Sequence, residues 1–420
     1  MMLKHYFLKF SLFFLCISLW GEEEITLSSD KISFNGDLLL LDGKVKLNHP
    51  FAILTSDSAR VKKDPNPSHL IFSKALLKQN VHIALKNHGL IRCDLARLDF
   101  ETLLGDLTSF IDYVEYQERG KKNLCLLARA INFKMTHSTH FDIDYLIATG
   151  DAKATLDGLY HLSSRKLSYH KFNPLMKSFS LGVLRAAGDC VFDSSALHIV
   201  SDTMSLDLRG PLLEMKEANG AIVSSEQIYS FIAGQLSYDV SSQKISLENN
   251  AHLLSENFGY LNAKEKVVIH KNKMGKIDYI KTTGPMTYTY LDHTLSTDGA
   301  AHISELVQTL TIENANEIAY KNENFSVFSK RAKIEYSKSI DFVDLEGDVL
   351  VLLTDLKRAL CDRLYYTPDK RHLKLVANPG SRVYLWNEEG NVSLSTDEVE
   401  IWMEDDYKIE CTGESKCELK

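Results

Sequence analysis

The chain has 420 residues, 44% hydrophobic and 25% charged, which is ample for a buried core and longer than a usual single domain. Its net charge of −8 argues against nucleic acid as a partner, because that binding needs a concentrated basic face. Eight prolines against 18 tyrosines and 19 phenylalanines favour strands over disorder.

At the N-terminus Lys4, His5 and Lys9 precede a run of apolar residues and Ser from Phe10 to Trp20, which Glu22-Glu23-Glu24 ends abruptly. A basic flank followed by a short apolar run has the form of a secretory signal peptide, so residues 1–21 are read as an export signal. The run falls short of the ~20 residues of a typical membrane span, and an uncleaved anchor is the alternative.

Beyond it, Ile25, Leu27, Ile32 and Phe34 read as a first strand at a sheet edge, and Asn35-Gly36 is a strong hairpin signal. Asp64-Pro65-Asn66-Pro67-Ser68 reads as a loop, since its prolines cannot sit inside a ladder. Val81, Ile83 and Leu85 alternate with His82, Ala84 and Lys86, and Asn87-His88-Gly89 turns the chain into the strand holding Cys93 and Asp94. Glu118 to Lys122 reads as a hairpin turn between two apolar runs. Lys166 to Leu184, with Pro174, is the least regular segment and predicts a unit boundary or a short helix. Gly188, Asn250 and Gly284 supply corner residues further on, while Glu305 to Ile312 fits either a helix or a twisted strand.

The most regular stretch runs from Val343 to Gly413. Gly347, Gly380 and Gly413 are each 33 residues apart, and Gly suits a corner where a side chain would obstruct a bend. Leu373, Leu375 and Ala377 alternate with Lys374 and Val376, and Val399, Ile401 and Met403 alternate with Glu400 and Trp402, which describes strands with one buried face. Asp369-Lys370 and Glu404-Asp405-Asp406 fall where hairpin turns belong.

One phrase recurs at both ends: a Gly-x-Val strand, then an Asp-containing strand with alternating apolar residues. It is carried by Gly347-Asp348-Val349-Leu350-Val351, Cys361-Asp362-Arg363-Leu364-Tyr365-Tyr366, Leu373-Lys374-Leu375 and Ser395-Thr396-Asp397-Glu398-Val399-Glu400-Ile401. Near the N-terminus it returns in Asp42-Gly43-Lys44-Val45-Lys46-Leu47, Thr55-Ser56-Asp57-Ser58-Ala59-Arg60-Val61 and Cys93-Asp94-Leu95-Ala96-Arg97-Leu98-Asp99-Phe100. In these residues the chain resembles the OstA-like family of periplasmic lipopolysaccharide-transport proteins, over about two fifths of its length.

The resemblance implies an all-β fold, an elongated OstA-like β-jellyroll or solenoid stack of antiparallel strand repeats. The expected organisation is an N-terminal unit over 22–165, a degenerate middle unit over 166–310 and a C-terminal unit over 311–420. It further implies a non-enzymatic periplasmic protein that shields lipopolysaccharide or a related lipid between the inner and outer membranes. Its partners would be other OstA-like proteins, or a second copy of itself, joined by strand-edge pairing. On this view Val81, Ile83, Leu85, Leu98, Phe100, Leu373, Leu375, Val399, Ile401 and Met403 line an apolar trough for acyl chains. The alternative is a closed β-solenoid scaffold without cargo, in which the same side chains form a dry sandwich core.

Little in the residues supports chemistry. His137 and His140 lie three apart, so on a strand they face opposite ways, with no cluster of Cys or carboxylates around them. Asp57, Asp94, Asp362 and Asp397 recur at strand starts, where a carboxylate accepts nearby backbone N–H groups. Neither a Gly-x-Ser-x-Gly elbow nor a phosphate-cradling glycine loop is present, and no cofactor is expected. Of six cysteines after the signal, Cys411 and Cys417 are the candidates for a local bridge, and Cys93 and Cys361 fit buried free thiols equally well.

Overall fold

A computed structural model describes residues 25–419 apart from 64–71, 87–88, 119–122, 138–140, 174–177, 211, 226, 338, 355–356, 388, 390–391 and 404–406. The signal segment, the Asp64–Ser68 loop, the His137–His140 pair and the Glu404–Asp406 turn therefore lie outside the described residues in whole or part. Among those described, the chain is all β: thirty-six strands, antiparallel in their pairing, and a single 3-10 turn at Pro368–Lys370. No helix among them is long and apolar enough to cross a membrane.

The described residues form two compact units, one ending at Leu184 and the other starting at Arg185. The first is built on long strands, Leu38–His49, Ala52–Lys63, Phe72–Leu85 and Gly89–Asp99, each hairpinned onto the next. Pairing slips at mid-strand, between Asp42 and Val45, Thr55 and Ser58, and Lys78 and Val81. At these slips the backbone turns left-handed, at Gly43 (φ 74°) with Lys44 (48°), and at Gln79 (61°) with Asn80 (50°). Two extra residues in that conformation bend the strand sharply, as a β-bulge does.

Each long strand thus gives one half to each of two ladders. Gly89–Asp99 shows the split, since residues 89–92 pair with Val114–Glu118 and residues 95–99 with Leu104–Thr108. The first ladder continues through Leu124–Ala128 and the second through Ala130–His137. Both rejoin in Phe141–Leu156, which bends at Gly150 and Asp151. Thr26–Ser28 and Lys31–Asn35 each pair with one half of Leu38–His49, so the entry edge is two short strands rather than one.

The second unit repeats the construction with a difference. Ile228–Asp239 is still one long strand, but it faces two short ones, Lys244–Glu248 and Ala251–Ser255, separated by Asn249 and Asn250 at φ 62° and 59°. From there short hairpins alternate between ladders until Ile340–Leu353 spans both again, bent at Gly347 and Asp348. Gly188, Asn250 and Gly284 all have positive φ, as corner residues should.

Gly347, Gly380 and Gly413 have φ of 89°, 91° and 97°. A Cβ on Gly380 would touch nothing within 4 Å, whereas one on Gly413 would strike Asp397, so conformation rather than space is what the three share. Gly347→Ala should therefore cost about 1–2 kcal/mol in urea unfolding. Gly210→Ala, at ordinary φ and in open space, should be neutral. Equal midpoints for the two variants would refute the corner argument.

Two segments that the sequence left open each resolve in favour of one alternative. The boundary between the two units falls at the end of Lys166 to Leu184, which holds no helix among the described residues; it belongs to strands Tyr160–Asn173, paired with Phe141–Leu156, and Ser178–Asp193. Glu305 opens a turn, and Thr309–Ile312 is a strand. The six described cysteines are free thiols: Cys93, Cys190 and Cys361 are buried, while Cys411 and Cys417 are exposed and unbridged.

Candidate functional site

Alternation places the buried faces. In Glu398–Met403 the residues Val399, Ile401 and Met403 are buried, and the residues between them are half-exposed. Leu373 lies opposite Ile401 and Leu375 opposite Val399, so with Met403 these five form one apolar strip in the second unit, flanked by Ile409 opposite Ile401. In the first unit Val81, Ile83 and Leu85 lie on the first ladder, with Ile83 opposite Leu54 and Ile91. Leu98 belongs to the second ladder, and Phe100 follows it in the turn. The ten residues thus divide into two groups of five, one in each unit.

All ten are buried, none more than 5% exposed. Burial pushes the thiols of Cys93 and Cys361 up to about 12, so neither is a thiolate near neutrality. On the outer surface of the first unit an open concavity of about 490 Å³ is lined by Arg60, Lys62, Lys74 and Arg97 with Leu38, Leu76 and Leu104. Of the ten interior residues, Leu98 borders it.

The recurrent aspartates lie at bends rather than at strand starts: Asp57, Asp94 and Asp362 fall within long strands and Asp397 between two short ones. Each sits at a corner and reaches the corner of a neighbouring strand: Asp94 accepts the N–H of Phe110 at 2.8 Å, Asp362 that of Asn378 at 2.7 Å and Asp397 that of Glu414 at 3.3 Å. Asp57 instead accepts the side-chain amide of Asn80 at 2.7 Å.

The sequence reading missed the opposite ends of the strands, where turns of the two ladders approach each other. In the first unit His49, on the first ladder, stacks on Phe100 of the second at 4.8 Å and lies 4.3 Å from Phe51. In the second unit Tyr366 meets Phe325 edge-on at 4.8 Å and Tyr320 at 6.5 Å. Tyr229, Phe258 and Tyr288 form a further cluster, fixed by a 2.6 Å hydrogen bond from the Tyr288 hydroxyl to the Phe258 carbonyl. Phe51, Phe100 and Phe258 sit in turns between strands, and none of those turns carries an Asn-Gly or paired-proline signal strong enough to predict it.

Among the described residues no group of three His, Cys, Asp or Glu side chains is placed to hold a metal ion. Comparison with protein-family models gives no match, and comparison with curated proteins gives none either.

Proposed function

We propose that this chain is an exported, OstA-like lipid carrier that shields lipopolysaccharide or a related lipid between the inner and outer membranes. The observation that carries the reading is the way each interior is enclosed. Its two ladders are joined covalently along the bent corners, while at their turn ends the contacts between ladders among the described residues run through side chains. Such a pair of faces can part like a hinge without breaking a ladder hydrogen bond. Acyl chains entering the gap replace one apolar contact with another, and each CH₂ taken from water contributes about 0.8 kcal/mol. Export would follow from residues 1–21 and place the carrier in the periplasm.

Free strand edges support partners of the same kind. Among the described residues Tyr407–Thr412 pairs only with Glu398–Met403, and Lys416–Leu419 only with Val392–Thr396. With the entry strands Thr26–Ser28 and Lys31–Asn35 they offer unpaired ladders for another OstA-like protein or a second copy.

The second reading, a closed scaffold, is favoured by the near-complete burial of the ten interior side chains. Photo-reactive residues at Ile83 and Leu375, with an outward control at Trp402, separate the two in a lipopolysaccharide-producing host. The carrier predicts labelled lipid from both interior probes and none from the control. Absence of lipid from both interior probes leaves the scaffold.

A further inference from the structure

The turn ends of the first unit carry charges that an apolar interior does not require. Glu118 closes strand Val114–Glu118 of the first ladder, and Asp142 and Lys171 lie on Phe141–Leu156 and Tyr160–Asn173 in the second. The Lys171 ammonium donates to Glu118 at 2.6 Å and sits 3.1 Å from an Asp142 oxygen. The hydroxyls of Tyr116 and Tyr169 donate to the other Glu118 oxygen at 3.0 and 3.2 Å. The three charged side chains are only 11–15% exposed.

We infer that Glu118, Lys171 and Tyr169 form a latch across the seam, holding the two ladders of the first unit shut at their turn ends, while the bond from Lys171 to Asp142 stays within one ladder and takes no part in holding it. The bonds divide cleanly by topology. Lys171 to Glu118 and Tyr169 to Glu118 cross from one ladder to the other, whereas Lys171 to Asp142 stays within the second. Opening the seam therefore separates Glu118 from both partners but leaves Lys171 its Asp142. Burial resists the Lys171 charge, yet Glu118 and Asp142 outweigh it and hold the ammonium above its ordinary range. Burial holds the Asp142 carboxyl above its usual range, only partly offset by Lys171. Glu118 is thus the partner whose loss loosens the seam, and Asp142 the one whose loss does not.

The latch does not depend on any cargo, and its test uses none. Cys93 sits opposite Val81 on the interior face, 6% exposed, and reacts only when the interior opens. Cys361, 4% exposed in the second unit, is an internal control in the same chain. Iodoacetamide labelling of the full chain, resolved by peptide mass spectrometry, should show Cys93 in Glu118→Gln reacting about tenfold faster than in wild type. Cys361 should keep its rate, and Asp142→Asn should leave Cys93 near wild type. A seam opening exposes little surface, so the Cys93 rate in Glu118→Gln should rise only weakly with urea. The latch is overturned if Cys93 does not accelerate, if Cys361 accelerates with it, if Asp142→Asn matches Glu118→Gln, or if the urea dependence is as steep as that of unfolding.

Discussion

Ile401→Lys should destabilise the second unit by about 3–5 kcal/mol, enough to unfold a marginal fold at room temperature. Ile401 is fully buried, with Leu373 and Ile409 opposite it on the neighbouring strands and Val399 and Met403 on the same face. An ammonium there has no carboxylate within its own face. Glu398 and Glu400 point outward and are already engaged, by Lys374 at 2.7 and 3.3 Å and by His372 at 3.3 Å from Glu400. A lysine at an interface can bend its stem to reach water, but here the neighbouring strands close over the position. Trp402→Lys, one residue away on the outer face, should cost about 1 kcal/mol or less. Thermal melting of both variants decides the matter. If Ile401→Lys melts like wild type, the interior admits water and the face is an open trough. In that event the carrier reading makes a further demand: lipid labelling from Leu375 should fall, because a charge would sit among acyl chains.

The contrast between Ile401 and Trp402 shows what is legible in the sequence alone. Period-two alternation assigns each side chain to a face, and from Glu398 to Met403 it does so without error. Corners were equally legible, because a left-handed backbone selects Gly or Asn and leaves a mark at Gly347, Gly380, Gly413 and Asn250. The aspartates at 94, 362 and 397 were readable as backbone acceptors because that role needs only a short carboxylate beside a bend. Alternation says which face is apolar, however, and not whether another face lies against it, so burial of all ten interior residues was beyond reach. Between Lys244 and Arg331 the corner phrase fades because one bent strand is replaced there by two short ones, with the bend given to a loop. Glu118, Lys171 and Asp142 were invisible for a different reason: Lys171 lies 53 residues from Glu118 and 29 from Asp142, and nothing local predicts their meeting.

Protonation of His49 should weaken the first unit by about 3 kcal/mol once the pH is below 4. His49 is 5% exposed, packed against Phe51 and Phe100, and neither ring nitrogen has a hydrogen-bond partner among the described residues. Burial lowers its pKa from 6.5 to about 4. Above pH 6.5 the ring is neutral in folded and unfolded chains alike, and it contributes no pH dependence. Between 6.5 and about 4 the unfolded chain takes up a proton that the folded unit refuses, so stability falls as pH falls. Below that both states are protonated and the loss is complete. Asp142 works in the opposite sense: its raised folded pKa favours the folded unit as the pH drops through it. The His49 contribution is therefore isolated by difference, using His49→Phe, which keeps an aromatic ring in the stack and removes the titration. In urea unfolding of the full chain, the gap between variant and wild type should shift by about 2 kcal/mol in the variant's favour from pH 7 to pH 5. Parallel pH profiles would mean that the ring finds water or a partner in its charged form, and that the aromatic rim of the first unit is already open. Because His49 and Phe100 come from different ladders, the same protonation should loosen the seam before the unit unfolds, and Cys93 labelling at pH 5 should be faster in wild type than in His49→Phe after correction for reagent reactivity.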